Sequence, residues 1–267
     1  MSAQHPTERW RLAIVGAVAG VLAGLLGIGG GIVLVPGLAW ATGIDRHTAT
    51  GTSLLAIVPI AVVGSTTYAL APGGKFDAPA AALLVAGSLA GALIGAWLSA
   101  KFTDRGLRLT FAVVSGLLGA RLIVPFGLGA GSKALALTLG AVITLVLLGF
   151  FGGVLSGLLG IGGSGVVVAV MVITLGADQA LAQGIALTSI IPTALVGAAA
   201  YGRRGQVAVR PGITAGLVGA VLAVPASTVA LAVPSTVLRA AFGAFLLLMA
   251  ARTLVRQRRT RRAVVPA

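Results

Sequence analysis

The chain has 267 residues, of which 58% are hydrophobic and only 9% are charged, and its mean hydropathy is +1.08. A soluble domain usually carries about 25% charged residues, so this composition excludes an ordinary water-soluble protein. It predicts an all-α membrane protein, because helices satisfy their own backbone hydrogen bonds in lipid. The chain has no cysteine, which excludes disulfides, iron–sulfur clusters and thiolate metal sites.

The basic residues lie at the ends of apolar segments and in the C-terminal tail. They give the chain a formal net charge of +14. Basic residues beside apolar spans set membrane topology and contact anionic lipid. The sequence therefore predicts membrane lipid as a partner and no nucleic acid, and it predicts no cofactor. A homo-oligomer is compatible with it.

Eight apolar segments follow one another in two sets of four. We predict a first membrane repeat at 11–125, a connector at 126–134, a second membrane repeat at 135–255 and a basic cytoplasmic tail at 256–267. The apolar segments are 12–42, 53–71, 78–100 and 107–124 in the first repeat and 135–175, 180–200, 212–233 and 237–254 in the second.

The two sets are tandem copies of one unit. The sequence GVLAGLLGIGG at 20–30 returns as GVLSGLLGIGG at 153–163, an offset of 133 residues. The same offset pairs Asp45 with Asp178 and Pro59 with Pro192. Duplicated halves are typical of secondary transporters, whose substrate site lies where the halves meet.

The first segment of each copy is too long for one straight crossing. As a single helix, 135–175 would span about 60 Å, against a hydrocarbon core of about 30 Å. Either the GIGG motif interrupts a through-helix, which gives eight crossings and parallel repeats, or it forms the tip of a re-entrant hairpin, which gives six crossings and an inverted repeat. In both layouts the basic residues place the N- and C-termini in the cytoplasm and the chain in the inner membrane.

The duplicated glycine motifs are the main candidates for a substrate site. Glycine exposes its backbone N–H, and a helix that restarts after a glycine break directs free N–H groups and its positive dipole end at the break. Two such ends would bind an anion without a charged side chain. The candidate residues are Gly27, Gly29, Gly30 and Gly31 in the first copy and Gly160, Gly162, Gly163 and Ser164 in the second. For Gly87, Gly91 and Gly95, spaced by four, we expect helix packing instead.

Polar residues at the start of the next segment of each copy form a second set. They either complete the hydrogen bonds of an anion or serve as caps and interhelical contacts; they are Thr52, Ser53, Gln183, Thr188 and Ser189. Pro59 and Pro192 are predicted to kink their helices, either to serve gating or merely to shape the fold. Tyr68 and Tyr201 are expected to be interfacial anchors.

An intramembrane serine enzyme is the rival class. The sequence Gly-Ser-Gly at 163–165 fits a serine nucleophile, but no histidine follows Ser164 to activate it. We therefore predict no catalytic residue and no metal site.

At these residues the sequence resembles the sulfite exporter TauE/SafE family. The resemblance rests on the glycine motif at 20–36, its copy at 153–170 and the arrangement of four plus four segments. It implies a multi-pass permease for small sulfur-containing anions such as sulfite or organosulfonates. The alternatives are a permease of the same architecture for another solute, or a membrane scaffold or sensor that transports nothing.

Overall fold

The computed structural model describes residues 6–71, 76–98, 104–124, 131–132, 135–159 and 163–264. This part of the chain is helical apart from turns and one isolated bridge between Ser132 and Ala177. It forms ten helices: α1 Pro6–Leu26, α2 Gly31–Thr42, α3 Arg46–Ala69, α4 Ala78–Leu98, α5 Asp104–Ile123, α6 Leu139–Leu159, α7 Ser164–Thr174, α8 Gln179–Gly202, α9 Val209–Ala232 and α10 Ser235–Val264.

Seven helices within the described residues are long and apolar enough to cross a membrane: α1, α3, α4, α6, α8, α9 and α10. The helices α2 and α7 are apolar but have only 12 and 11 residues. At 1.5 Å per residue each spans about half of a hydrocarbon core. The all-α architecture predicted from composition is confirmed.

An aspartate begins the helix that follows each short helix. The Asp45 carboxylate accepts hydrogen bonds from the backbone N–H groups of His47 and Thr48, and the Asp178 carboxylate accepts one from Ala180 N–H. These bonds satisfy N–H groups that have no acceptor within the helix. The Thr48 hydroxyl also donates to Asp45, and this bond lowers the pKa of Asp45 below its ordinary value.

The chain doubles back between α1 and α2. The rings of Trp10 and Trp40, near the start of α1 and the end of α2, lie 6.5 Å apart. A Cβ built on Gly37 would lie 2.6 Å from Val15, and one built on Gly30 would lie 2.6 Å from the Ala19 carbonyl oxygen. The two helices therefore run antiparallel, as a hairpin whose tip is residues 27–30.

The second copy contains the same close approach. A Cβ built on Gly163 would lie 2.1 Å from the carbonyl oxygen of Gly152, and one on Gly152 would lie 2.6 Å from Val167. Gly163 and Gly152 are the repeat equivalents of Gly30 and Ala19, so the first of these contacts occurs in both copies. The short helix α7 thus begins against the middle of α6, as α2 begins against the middle of α1.

The two halves interdigitate, because the hairpin of each packs on a helix of the other. Helix α1 runs parallel to α9, with Gly16 at Ala215 and Gly20 at Gly219. Helix α6 likewise packs along α4, and the contacts of Gly87 with Val146 and of Gly91 with Phe150 make that pair parallel.

Helices in equivalent positions of the two halves run antiparallel where they meet. In α3 and α8, Gly64 contacts Leu187 and Gly197 contacts Leu54. In α5 and α10, Gly119 contacts Gly243 and Gly116 contacts Ala250. Opposite directions are the arrangement that the hairpin alternative predicts, whereas parallel repeats would have given these pairs the same direction.

The glycines spaced by four in α4 allow close packing, as predicted. A Cβ on Gly87, Gly91 or Gly95 would lie 2.0, 2.0 or 2.3 Å from a carbonyl oxygen of α6. Helix α6 contributes Gly149 and Gly153 to the same contact. A Cβ on either glycine would lie 2.2 Å from a carbonyl oxygen of α4. The backbones of α4 and α6 are thus in direct van der Waals contact, without the layer of side chains that usually separates helices in soluble proteins.

Candidate functional site

The first hairpin tip is built from glycines in a left-handed conformation. Gly27, Gly29 and Gly30 have φ angles of 68°, 68° and 73°. Residues with a Cβ rarely adopt this region. A Cβ on Gly29 would lie 3.0 Å from Ile190 and 3.4 Å from Ile57, which are equivalent residues of α8 and α3. The tip therefore lies between the two halves.

Helix α2 begins at this tip without a side-chain cap. Gly30 occupies the cap position and Gly31 is the first helical residue. The first N–H groups of a helix have no intrahelical acceptor, and together they carry a partial positive charge of about half an elementary unit. The start of α2 thus offers hydrogen-bond donors inside the protein.

Helix α7 begins in the same way in the second half. Gly163 is its cap residue, with a φ of 58° and no side-chain cap, and Ser164 is its first residue. The Ser164 side chain is 2% exposed and its hydroxyl has no hydrogen-bond partner. Gly160 and Gly162, which the sequence also nominates, lie outside the described residues.

The starts of the two short helices come together through Ile28. A Cβ on Gly165, in the first turn of α7, would lie 3.7 Å from the side chain of Ile28 in the first hairpin tip. The two copies of the glycine motif are therefore neighbours in the fold. Their uncapped helix starts lie in one region rather than on separate faces.

The two prolines mark the middle of the crossing between α3 and α8. The contacts Gly64–Leu187 and Gly197–Leu54 each join residues five positions away from Pro59 and Pro192. Both helices continue through their proline. Proline lacks an N–H, so the carbonyl groups of Leu55 and Thr188 lose their usual helical donor at this point.

Most hydroxyl groups in the second predicted set bond to backbone. The Ser53, Thr188 and Ser189 hydroxyls donate to carbonyl oxygens of their own helices at 2.8, 3.0 and 2.8 Å. The Thr52 hydroxyl accepts from Ala208 N–H at 2.9 Å. In this arrangement the three donating hydroxyls do not present their protons to a solute.

Gln183 differs from the rest of that set. Its side chain is fully buried, and its amide nitrogen has no hydrogen-bond partner. It lies against the first hairpin tip, where a Cβ on Gly27 would be 2.7 Å from its Cβ and Cγ. Of the five polar residues of the second set, Gln183 is thus the one placed at a glycine tip with a free donor.

The expectation that Tyr68 and Tyr201 anchor the protein at the membrane surface is wrong. They are 0% and 1% exposed. The Tyr68 hydroxyl lies 2.8 Å from the Gly24 carbonyl oxygen, and the Tyr201 hydroxyl donates to that of Gly157 at 3.5 Å. Each tyrosine thus binds the end of a hairpin helix. The internal repeat is the sequence signal for this buried role, because the two tyrosines occupy equivalent positions and contact equivalent glycines.

Comparison with known proteins agrees with this architecture. A protein-family model described as "Sulfite exporter TauE/SafE" matches residues 2–122 and 145–267. The chain belongs to this family. The first matched stretch contains α1 and α2, the second begins within α6 and contains α7, and the unmatched residues between them include the predicted connector.

Two curated relatives of this TauE/SafE-family protein come from Bacillus subtilis (strain 168). The chain is 30% identical over 120 residues to "Probable membrane transporter protein YunE", covering 42% of this chain and 43% of the relative. It is 35% identical over 94 residues to "Probable membrane transporter protein YdhB", covering 35% and 36%. The matches thus span less than half of each relative. No solved structure matches the chain.

The family and the apolar helices together make this a multi-pass membrane protein of a transporter family. The resemblance to the TauE/SafE family, inferred from the glycine motif, is therefore confirmed. No group of three His, Cys, Asp or Glu residues that could hold a metal occurs in the part of the chain that the structure describes.

Proposed function

We propose that this TauE/SafE-family protein is a secondary transporter that exports small sulfur-containing anions such as sulfite or organosulfonates. The observation that carries the proposal is that two uncapped helix starts, α2 at Gly30–Gly31 and α7 at Gly163–Ser164, are linked by the approach of Gly165 to Ile28. Backbone N–H groups and two positive dipole ends would hold the anion. The unpartnered, buried Ser164 hydroxyl would add a donor there.

The distribution of charge supports an anion as the solute. All five acidic residues lie at helix starts: Glu8, Asp45, Asp77, Asp104 and Asp178. No carboxylate therefore lies midway along a helix, where it would repel an anion in a medium of low dielectric constant. The helix starts need no positive side chain to attract the solute, because their own N–H groups supply the partial charge.

Pro59 and Pro192 are proposed as the gating positions. They lie at the middle of the α3–α8 crossing, next to Ile57 and Ile190, which contact the first hairpin tip. A proline leaves one helical hydrogen bond unmade and weakens the helix there. Small bends at these two points would change the contact of α3 and α8 with the tip.

We propose six full crossings and two re-entrant hairpins, with both termini in the cytoplasm and the chain in the inner membrane. The antiparallel contacts of α3 with α8 support the inverted repeat. The basic tail supports the orientation, because cytoplasmic loops carry an excess of arginine and lysine.

Sulfite flux tests the function. Purified protein in proteoliposomes is expected to raise the efflux of labelled sulfite above that of protein-free vesicles, with and without a pH gradient to show coupling. Absence of flux for sulfite and for a sulfonate such as methanesulfonate would reject the substrate class. It would then favour another solute or a scaffold.

Cysteine labelling tests the topology in a chain that has no native cysteine. With hairpins, Arg46→Cys and Arg105→Cys should react from the cytoplasmic face with a membrane-impermeant maleimide, and Leu70→Cys from the opposite face. Arg203→Cys is the matched control, since both layouts place it in the cytoplasm. Labelling of Arg46→Cys from the outside alone would contradict the hairpins.

A further inference from the structure

A second group of polar atoms lies beside the first hairpin, next to Gly27 of its tip. The side chains of Gln183 and Ser227 are both fully buried. The Gln183 amide nitrogen and the Ser227 hydroxyl have no hydrogen-bond partner. An unsatisfied buried donor destabilises the folded protein, so two of them around one helix end call for an explanation.

Both residues border the same end of α1. The Tyr68 hydroxyl lies 2.8 Å from the Gly24 carbonyl oxygen and 2.8 Å from the Gln183 Oε1 atom. Ser227 reaches Gly24 from α9: a Cβ on Gly24 would be 2.8 Å from the Ser227 nitrogen. A Cβ on Gly64 would be 3.9 Å from the Ser227 hydroxyl oxygen.

Proton counting shows that this group, the Tyr68–Gln183–Ser227 cluster, has surplus donors. Tyrosine has one hydroxyl proton, the Gly24 carbonyl only accepts, and the glutamine amide has two N–H groups. If the amide presents its oxygen to Tyr68, both N–H groups are free. If it presents its nitrogen, one N–H is used and one remains. In either orientation at least one amide N–H lacks an acceptor.

The cluster lies off the centre of the protein. Gln183 precedes Pro192 by nine residues and Tyr68 follows Pro59 by nine. At 1.5 Å per residue this is about 13–14 Å along each helix from the middle of the crossing. The cluster is thus separate from the contact of the Gly29 backbone with Ile57 and Ile190 near the prolines.

The equivalent position beside the second hairpin carries different side chains. The repeat places Thr50 at the position of Gln183. Gly157, the equivalent of Gly24, contacts the nitrogen of Ala96 where Gly24 contacts that of Ser227. The tyrosine is retained as Tyr201, but the amide and the serine are not, so the Tyr68–Gln183–Ser227 arrangement is not repeated there.

We infer that the Tyr68–Gln183–Ser227 cluster is a second, off-centre solute subsite, which binds an oxygen atom of an oxyanion or sulfonate on one side of the membrane midplane only. Gln183 and Ser227 donate to that oxygen, and Tyr68 positions the Gln183 amide. This inference rests on the proposed function for the identity of the solute. Gly27 serves the subsite because any Cβ there would displace the Gln183 stem.

Calorimetric titration of the purified full-length protein with sodium sulfite, and separately with methanesulfonate, tests the subsite. Gln183→Met keeps the length of the side chain and removes its donors; it should weaken binding by about tenfold or more, because hydrogen bonds to charged groups are among the stronger ones. Gln183→Glu keeps the shape and adds a negative charge, so it should weaken binding further. Thr50→Val, the change at the repeat equivalent of Gln183, should bind as the wild type does.

Transport by the same variants separates binding from folding. Gln183→Met and Ser227→Ala are expected to raise the KM for sulfite while leaving the rate at saturating sulfite close to that of the wild type. Tyr68→Phe should raise the KM less, since it removes only the positioning contact. Should Gln183→Met fail to fold, Ser227→Ala carries the test, because it removes a single oxygen atom.

Unchanged affinity in both Gln183→Met and Ser227→Ala would overturn the subsite and leave those donors to buried water. An equal loss in Thr50→Val would overturn its one-sidedness. Wild-type protein that binds sulfite through Gln183 but does not move it would reject the proposed transport and support the subsite. Wild-type protein that binds neither probe would overturn both.

Discussion

Gly30→Ala is expected to abolish sulfite flux, whereas Gly43→Ala leaves it largely intact. Both glycines have a left-handed φ, 73° and 71°, so an alanine strains the backbone at either position by about 1–2 kcal/mol. They differ in their surroundings. A Cβ at Gly30 would lie 2.6 Å from the Ala19 carbonyl oxygen, whereas one at Gly43 meets nothing within 4 Å.

The difference between the two variants isolates the geometry of the hairpin. In Gly30→Ala the start of α2 has to move away from α1, which displaces the N–H groups proposed to bind the anion. Flux in proteoliposomes, normalised to the amount of folded protein, measures this effect. Thermal unfolding in detergent measures the backbone strain, which should be present in both variants.

The second half of the chain offers an independent pair of test and control variants. A Cβ at Gly163 would lie 2.1 Å from the Gly152 carbonyl oxygen, whereas Gly176 has open space and a φ of 62°. Gly163→Ala should therefore lose flux and Gly176→Ala should not. Equal flux in Gly30→Ala and Gly43→Ala would show that transport does not depend on the close approach of α2 to α1.

The sequence predicts this break because length and repetition are properties that it displays directly. A segment such as 135–175 cannot cross a membrane once as a straight helix, and both copies carry the sequence Gly-Ile-Gly-Gly at the break. The direction of the chain after the break is a different matter. It depends on contacts such as Gly64–Leu187, which join distant residues and leave no local pattern.

The errors at the tyrosines and the ambiguity at the hydroxyls have the same origin. Tyr68 lies near the end of an apolar helix, where tyrosine is usually interfacial, but α1 of the hairpin extends to the same level and covers it. For Ser53 and Ser189 the sequence could not tell a solute contact from a bond to the preceding turn. Both bonds suit a hydroxyl in lipid.

Helix α3 begins before its apolar segment for a related reason. The apolar segment begins at residue 53, whereas α3 begins at Arg46. The residues between them are polar or small, and hydropathy assigns such residues to a loop. Asp45 is the better indicator of the helix start, because a capping carboxylate marks the first turn even where the residues of that turn are polar.

Gly91→Val is expected to cause a large loss of stability in the α4–α6 pair. A Cβ at Gly91 would lie 2.0 Å from the Phe150 carbonyl oxygen, so the two helices must separate along the whole row of glycines. Overpacking costs about 1–3 kcal/mol in soluble cores. Here the cost should be at the upper end, because the obstacle is backbone and lipid supplies no hydrophobic drive to close the gap.

The matched control is Gly140→Ala, in the first turn of α6. Its Cβ would meet only the Thr138 hydroxyl, at 4.0 Å, and alanine favours a helix over glycine by about 1 kcal/mol. Its Tm in detergent should equal or exceed that of the wild type, while the Tm of Gly91→Val should fall by several degrees. Flux should fall with it, because α6 carries α7 and Ser164 into place. A wild-type Tm in Gly91→Val would mean that the α4–α6 contact is not what holds the second hairpin against the rest of the protein.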